Sequence, residues 1–109
     1  MKRVFASCLC LLAATNRCLA ASAADDAKAV EFFENKIRPV LAEKCYSCHS
    51  VKAGKNKGGL LLDTREGIRQ GGDSAAAVVP GDAEKSLLLK AIGYADEDLQ
   101  MPPKKQLPA

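Results

Sequence analysis

Residues 45–49 read CYSCH, which is a pair of cysteines three positions apart followed directly by a histidine. Thiols at this spacing lie one helical turn apart, so each can add across one vinyl group of a porphyrin. The histidine that follows can then bind the iron. The stretch therefore predicts covalent attachment of haem c, with Cys45 and Cys48 forming the thioethers and His49 as the proximal iron ligand.

Three other interpretations of these residues remain open at this point. A structural zinc site takes four ligands, but beyond residue 23 the chain has only two cysteines and one histidine. A thioredoxin-like dithiol accompanies a βαβ pattern, and the sequence shows no strand pattern. A local disulfide would leave a small core, with two Phe, two Tyr and no Trp beyond residue 23, without the extra stabiliser that such a domain needs.

The first 23 residues have the pattern of an export signal. Lys2 and Arg3 precede an apolar run over residues 4–14, and small residues cluster at 20–24. Residues 21–23 fit the A-x-A cleavage pattern, and residues 18–20 form a competing site. We therefore predict a signal peptide at 1–23, a domain at 24–109 and a periplasmic or otherwise exported location. A retained N-terminal anchor is the alternative. The three remaining cysteines all lie in this segment.

The length, net charge and hydropathy of the chain argue against several other classes of protein. A chain of 109 residues has room for one small domain. Its net charge of +3 arises in the predicted signal, which holds three basic residues and no acidic ones, so thirteen of each sign remain beyond it. A nucleic-acid-binding surface is not expected. No apolar run approaches the roughly 20 residues that cross a bilayer, so we do not expect an integral membrane protein once the signal is cleaved.

The local patterns predict short helices and long glycine-containing loops. Residues 24–29 are small and polar, which is typical of a flexible start. From there, apolar residues recur at steps of three or four and predict an amphipathic helix that Pro39 kinks or restarts and that continues through residue 49. These apolar positions are Val30, Phe33, Ile37 and Leu41.

Two further helices are predicted from capping residues. Asp63 with Glu66 three positions later resembles a capping box, which predicts a helix over about 64–70 that ends at the following glycines. Asp82 is the predicted N-cap of a helix running to about residue 92, with Gly93 as its stop. The inward face of this second helix is expected to carry Leu88, Ala91 and Ile92. No strand is expected, so the predicted fold class is all-α.

A second axial ligand can be sought by elimination. His49 is the only histidine, and Met1 lies in the predicted signal, so Met101 is the one thioether available. Prolines at 102 and 103 limit the freedom of its segment. A His/Met pair suits an electron carrier. Met101 as ordinary core filling, or Lys104 or Lys105 as the ligand, are the alternatives.

Lysines lie close to both ends of the predicted site. They are Lys52, Lys55 and Lys57 after the CYSCH motif, and Lys104 and Lys105 after Met101. This pattern favours a redox partner protein with an acidic surface, although a solvated loop without a partner has the same composition. Arg65 and Arg69, one helical turn apart, are candidates for pairing with haem propionates.

Five more stretches of the chain are distinctive: FFENKIRPVL at 32–41, GGLLLDTR at 58–65, VPG at 79–81, SLLLKAI at 86–92 and LQMPP at 99–103. With the CYSCH motif, they resemble the planctomycete-type cytochrome c domain over roughly residues 30–108. The resemblance implies a small class I-like cytochrome c fold wrapped around one covalent haem. It also implies Cys45 and Cys48 as the covalent attachment residues, His49 as the proximal ligand and Met101 as the distal ligand. Relatives are usually fused to larger exported proteins.

The chain departs from that family pattern in two places. Ala75 and Ala76 stand where the family often carries Gly-Pro. The family also continues into a C-terminal helix beyond the equivalent of residue 108, so this sequence resembles a version that lacks it. We therefore expect the apolar face of residues 30–41 to be incompletely covered and the isolated chain to be unstable.

The function expected from these observations is that of an exported monohaem c-type cytochrome. Such a protein carries single electrons through a His/Met-ligated iron and is not an enzyme, although it can form part of a larger oxidoreductase. The alternative is a peroxidase-like haem enzyme or a gas sensor with a labile sixth ligand. That alternative lacks a second histidine for acid–base chemistry.

Overall fold

The computed structural model describes residues 13–109, with side chains from residue 22 onward. Most of the residues on which the predicted signal peptide rests therefore lie outside the described part. The chain divides into two compact units, Met1–Ile37 and Arg38–Ala109. No helix among the described residues is long and apolar enough to cross a membrane.

The described part of the first unit is helical. Helix α1 spans Ala13–Phe32 and is followed by a π-helical turn over Phe33–Ile37. We expected residues 24–29 to be a flexible start, but they belong to α1. The reason is their alanine content, since alanine has the highest intrinsic helix propensity of all residues.

The second unit begins with helix α2, Arg38–Lys44. Pro39 is its second residue and follows the π-helical turn closely. Proline has a φ compatible with a helix, but it has no N–H to donate to a carbonyl of the preceding turn. The expected continuation of this helix through residue 49 is wrong, because α2 ends at Lys44 and a hydrogen-bonded turn follows. The main-chain N–H groups of Cys45 and Tyr46 both donate to the Leu41 carbonyl, at 2.9 and 3.0 Å.

A small antiparallel sheet follows the turn. Strand β1 is His49–Ser50 and strand β2 is Lys55–Asn56, with His49 opposite Asn56. The fold is therefore helix-rich with a two-stranded sheet, and the all-α expectation holds only in part. Strands of two residues leave no period-two pattern in the sequence, so they could not be predicted from it. A 3₁₀-helical turn, Lys57–Gly59, comes next.

Helices α3, Arg65–Gln70, and α4, Leu87–Gly93, complete the unit. The expected N-cap Asp63 is wrong: Thr64 caps α3, and its hydroxyl accepts a hydrogen bond from the Gly67 N–H at 3.0 Å. The end of α3 at Gly71 is as predicted.

The predicted ends of α4 also differ from those observed. Ser86 rather than Asp82 stands at its N-cap, and Tyr94 rather than Gly93 adopts the left-handed conformation after its last residue. Asp82 instead closes the preceding turn, where its carboxylate accepts from the Lys85 N–H at 3.0 Å and pairs with the Lys85 ammonium at 2.9 Å. These contacts lower the pKa of Asp82.

The buried interior is small. Among the described residues, the buried hydrophobic side chains are Leu41, Leu62, Ala77 and Ala91. Two serines are buried as well, and both are hydrogen-bonded: Ser50 to the Tyr46 carbonyl at 2.7 Å and Ser86 to the Asp82 carbonyl at 2.8 Å. So few apolar side chains give limited hydrophobic stabilisation, which is consistent with a fold that is completed by a further group.

Candidate cofactor site

A cavity of about 300 Å³ lies within the second unit. Helix α4 and the segment after the 3₁₀ turn supply most of its apolar wall. The three residues that we expected on the inner face of α4 all line it. Cys45, Cys48, His49 and Met101 line the same cavity. Its apolar wall includes Leu60, Leu62, Ala77, Leu87, Leu88, Ala91, Ile92 and Leu99.

The turn at residues 45–49 brings the two thiols and the imidazole to this cavity. The N–H groups of Cys48 and His49 donate to the Cys45 carbonyl, at 3.1 and 3.0 Å. This turn presents two thiols and one imidazole within five residues, without a long helix. Both cysteines have intermediate exposure, and neither forms a disulfide. Burial raises the pKa of the Cys45 thiol above its ordinary value.

His49 is hydrogen-bonded to the segment at residues 60–62 through both its ring and its main chain. Its Nδ1 lies 3.3 Å from the Leu60 carbonyl oxygen. A carbonyl only accepts, so this hydrogen bond requires the proton on Nδ1 and leaves the lone pair on Nε2. The His49 carbonyl in turn accepts from the Leu62 N–H at 2.9 Å. Bonds of this type fix the tautomer and orientation of histidines that ligate metals.

Met101 reaches the cavity on a segment that is tied to the end of α4. Its N–H donates to the Ala91 carbonyl at 3.1 Å. The Tyr94 hydroxyl donates to the carbonyl of Pro102, the next residue along. The Met101 side chain is 39% exposed. It therefore lies on the wall of the cavity and is not buried.

The charged residues around the cavity differ from those expected. Lys44 and Lys57 contribute to its lining, whereas Arg65 and Arg69 lie exposed on α3 and outside the lining. The proposed pairing of these arginines with propionates therefore has no support in the structure. Lys104 and Lys105 also lie outside the lining, whereas Met101 is part of it.

The donor set fits a haem better than a bare metal ion. In the part of the chain that the structure describes, no three His, Cys, Asp or Glu side chains are grouped to hold a metal ion. The structure therefore gives no support to the zinc interpretation. Two thiols, an imidazole and a thioether on a largely apolar wall suit a flat apolar macrocycle that carries its own metal.

A helix-rich domain that presents a CYSCH turn on such a wall belongs to the class of c-type cytochromes. More particularly, the chain belongs to the planctomycete cytochrome C family, whose family model matches residues 45–105, more than half of the chain. The resemblance predicted from the sequence is thereby confirmed. Membership implies covalently bound haem c with its iron as the cofactor. No curated protein and no solved structure matches the chain.

Proposed function

We propose that this chain is an exported monohaem electron carrier and not an enzyme. In this proposal Cys45 and Cys48 hold haem c covalently, His49 is the proximal ligand and Met101 is the distal ligand. One observation carries the proposal: Met101, far along the chain from the CYSCH motif, lines the same cavity as the motif. Bound there, haem c supplies a one-electron iron couple.

The residues of the chain contribute binding, orientation and exclusion of water. The Leu60 carbonyl orients the His49 ring, and the Ala91 carbonyl and Tyr94 hydroxyl hold the Met101 segment. The apolar side chains of Leu62 and Ala91 are buried next to the site. A rigid, dry surrounding keeps structural rearrangement small when the charge of the site changes, as an electron carrier requires.

The decisive experiment is to produce the protein with a c-type maturation system and compare it with a Met101→Ala variant. We expect a haem that resists acid–acetone extraction and a methionine-to-ferric-iron charge-transfer band that disappears in the variant. Leu99→Ala is the matched control, since Leu99 lines the same cavity without a sulfur atom. This control should keep the band. Absence of the band from the unsubstituted protein contradicts His/Met ligation.

The same samples test the alternative function. A peroxidase-like enzyme or gas sensor needs a labile sixth position, which carbon monoxide detects. Rapid, tight binding of carbon monoxide by the reduced, unsubstituted protein would favour that alternative. Slow binding that becomes fast in Met101→Ala supports the electron carrier.

Export is part of the proposal and has two supports. Residues 1–23 carry a charged start, an apolar run and small residues at the cleavage position. The family match adds that cytochrome c domains are typically exported. The mature N-terminus tests the prediction: cleavage after Ala23 supports a signal at 1–23 and a domain at 24–109, whereas an intact N-terminus indicates a retained anchor.

We further propose a redox partner with an acidic surface. Lys52, Lys55 and Lys57 are exposed, and Lys57 also lines the cavity. The probe is ferricyanide, a small anionic oxidant, whose rate with the reduced protein should fall as ionic strength rises. Lys52→Glu with Lys55→Glu should lower this rate more than Lys85→Glu with Lys90→Glu, a control pair of equal charge change whose residues are exposed and outside the cavity lining. Equal rates in all variants contradict the proposal.

A further inference from the structure

The main chain that follows His49 is hydrogen-bonded to a side chain outside its own sheet. Beyond the two-residue strand β1, the chain turns through Val51–Gly54, where the Gly54 N–H donates to the Val51 carbonyl at 2.9 Å. The N–H groups at the start of this turn point to Asp63. Val51 N lies 2.9 and 3.1 Å from the two carboxylate oxygens, and Lys52 N lies 3.4 Å from the nearer one.

Asp63 belongs to a segment that also contacts His49 directly. We call residues 60–63 the strap. Its Leu60 carbonyl meets His49 Nδ1, and its Leu62 N–H donates to the His49 carbonyl. The Leu62 side chain is only 2% exposed, so the strap is fixed in the small core. Asp63 therefore joins a fixed segment to the residues immediately after His49.

We propose that Asp63 is a positioning residue for His49, holding the main chain after the imidazole so that the ring keeps one orientation toward the iron. This inference rests on the proposed function, in which His49 is the proximal ligand. A carboxylate that accepts from two successive N–H groups makes charge-assisted hydrogen bonds, which are the strong ones. The turn is exposed, so water can replace the carboxylate after substitution and the fold survives.

The experiment compares Asp63→Ala with Asp63→Asn in the full-length, haem-loaded protein. The asparagine variant keeps one acceptor oxygen and removes the charge, whereas the alanine variant removes both. Asp82→Ala is the control, because Asp82 also accepts from a main-chain N–H in a turn but lies outside the cavity lining. Two readouts are taken: amide exchange at Val51 and Lys52 in the reduced protein, and the hyperfine-shifted His49 ring resonances in the oxidised protein.

We expect Asp63→Ala to exchange these amides at least about tenfold faster, and its His49 resonances to shift or double. Asp63→Asn should lie closer to the unsubstituted protein, and Asp82→Ala should match it. Equal effects of Asp63→Asn and Asp63→Ala on the His49 resonances would also support the proposal, since they would show that the charge-assisted bonds do the positioning. Unchanged His49 resonances in Asp63→Ala would overturn it.

These outcomes are distinct from failure of the proposed function. If the unsubstituted, haem-loaded protein shows no hyperfine-shifted His49 ring resonances, His49 is not an iron ligand, and the positioning role is overturned together with the ligation. If those resonances are present and insensitive to Asp63, only the positioning role fails.

Discussion

The hydroxyl of Tyr94 donates a hydrogen bond to the carbonyl of Pro102, the residue that follows Met101. Tyr94 adopts the left-handed conformation at the end of α4, with φ of 60°. A residue that ends a helix thus also ties down the segment that carries the proposed distal ligand. The Met101 N–H and the Ala91 carbonyl provide a second tie to the same helix.

Removal of the Tyr94 hydroxyl is expected to loosen the Met101 segment. In reduced, haem-loaded Tyr94→Phe, carbon monoxide should bind up to about tenfold faster, because a single hydrogen bond of this kind contributes about 1 kcal/mol. Stopped-flow mixing measures the rate. Gln106→Ala is the control, since its 3.4 Å bond from Nε2 to the Gly93 carbonyl is an exposed and longer tie of the same segment. An unchanged rate in Tyr94→Phe would contradict this role.

Leu62→Ala is expected to be the more destabilising of two leucine truncations. Leu62 is 2% exposed and Leu89 is 46% exposed. Loss of the buried side chain should lower the free energy of unfolding by about 2–4 kcal/mol, whereas Leu89→Ala should cost less than about 1 kcal/mol. Urea unfolding of the haem-loaded proteins measures both values. Similar costs for the two variants would show that Leu62 does not lie in the core.

Alanine substitutions at Gly71 and Gly81 distinguish the cost of backbone strain from the cost of steric overlap. Both have positive φ, 77° and 79°. A Cβ at Gly71 would lie 1.9 Å from the Ala75 carbonyl oxygen, whereas a Cβ at Gly81 would meet nothing within 4 Å. Gly81→Ala should therefore cost about 1–2 kcal/mol from strain alone. Gly71→Ala should cost about 1–3 kcal/mol more because the main chain must shift.

Thermal unfolding of the haem-loaded Gly71→Ala and Gly81→Ala variants gives the comparison. A lower melting temperature for Gly71→Ala is the expected order. Identical melting temperatures would mean that the loop at residue 75 moves away freely, against the close approach seen at Gly71.

Ser86 links the loop before α4 to the start of that helix. Its buried hydroxyl accepts from the Val79 N–H at 2.9 Å and donates to the Asp82 carbonyl at 2.8 Å. Ser86→Ala leaves these groups without their partner and should cost about 1–3 kcal/mol of unfolding free energy. Ser74→Ala, at an exposed position, should change it by less than about 0.5 kcal/mol. Chemical denaturation measures both, and equal values would contradict the prediction.

The amino-acid sequence by itself was sufficient to identify the family and the cofactor. It was also sufficient to select Cys45, Cys48 and His49 as candidate site residues. Their chemistry depends on spacing within five consecutive residues, which a sequence displays directly. Met101 could be selected by elimination, because only one methionine lies beyond the predicted signal. The end of α3 was also predictable, since a glycine at positive φ terminates a helix locally.

Only the tertiary structure decided the contacts of Asp63 and Tyr94 and the position of Lys44. Asp63 looked like a helix cap, yet its carboxylate meets Val51, twelve positions earlier in the chain. The contact of Tyr94 with Pro102 and the place of Lys44 on the cavity wall depend on how the loops fold over the motif. A capping pattern records a local preference, whereas a hydrogen bond between distant segments is decided by packing, which brings together residues that no short sequence pattern relates.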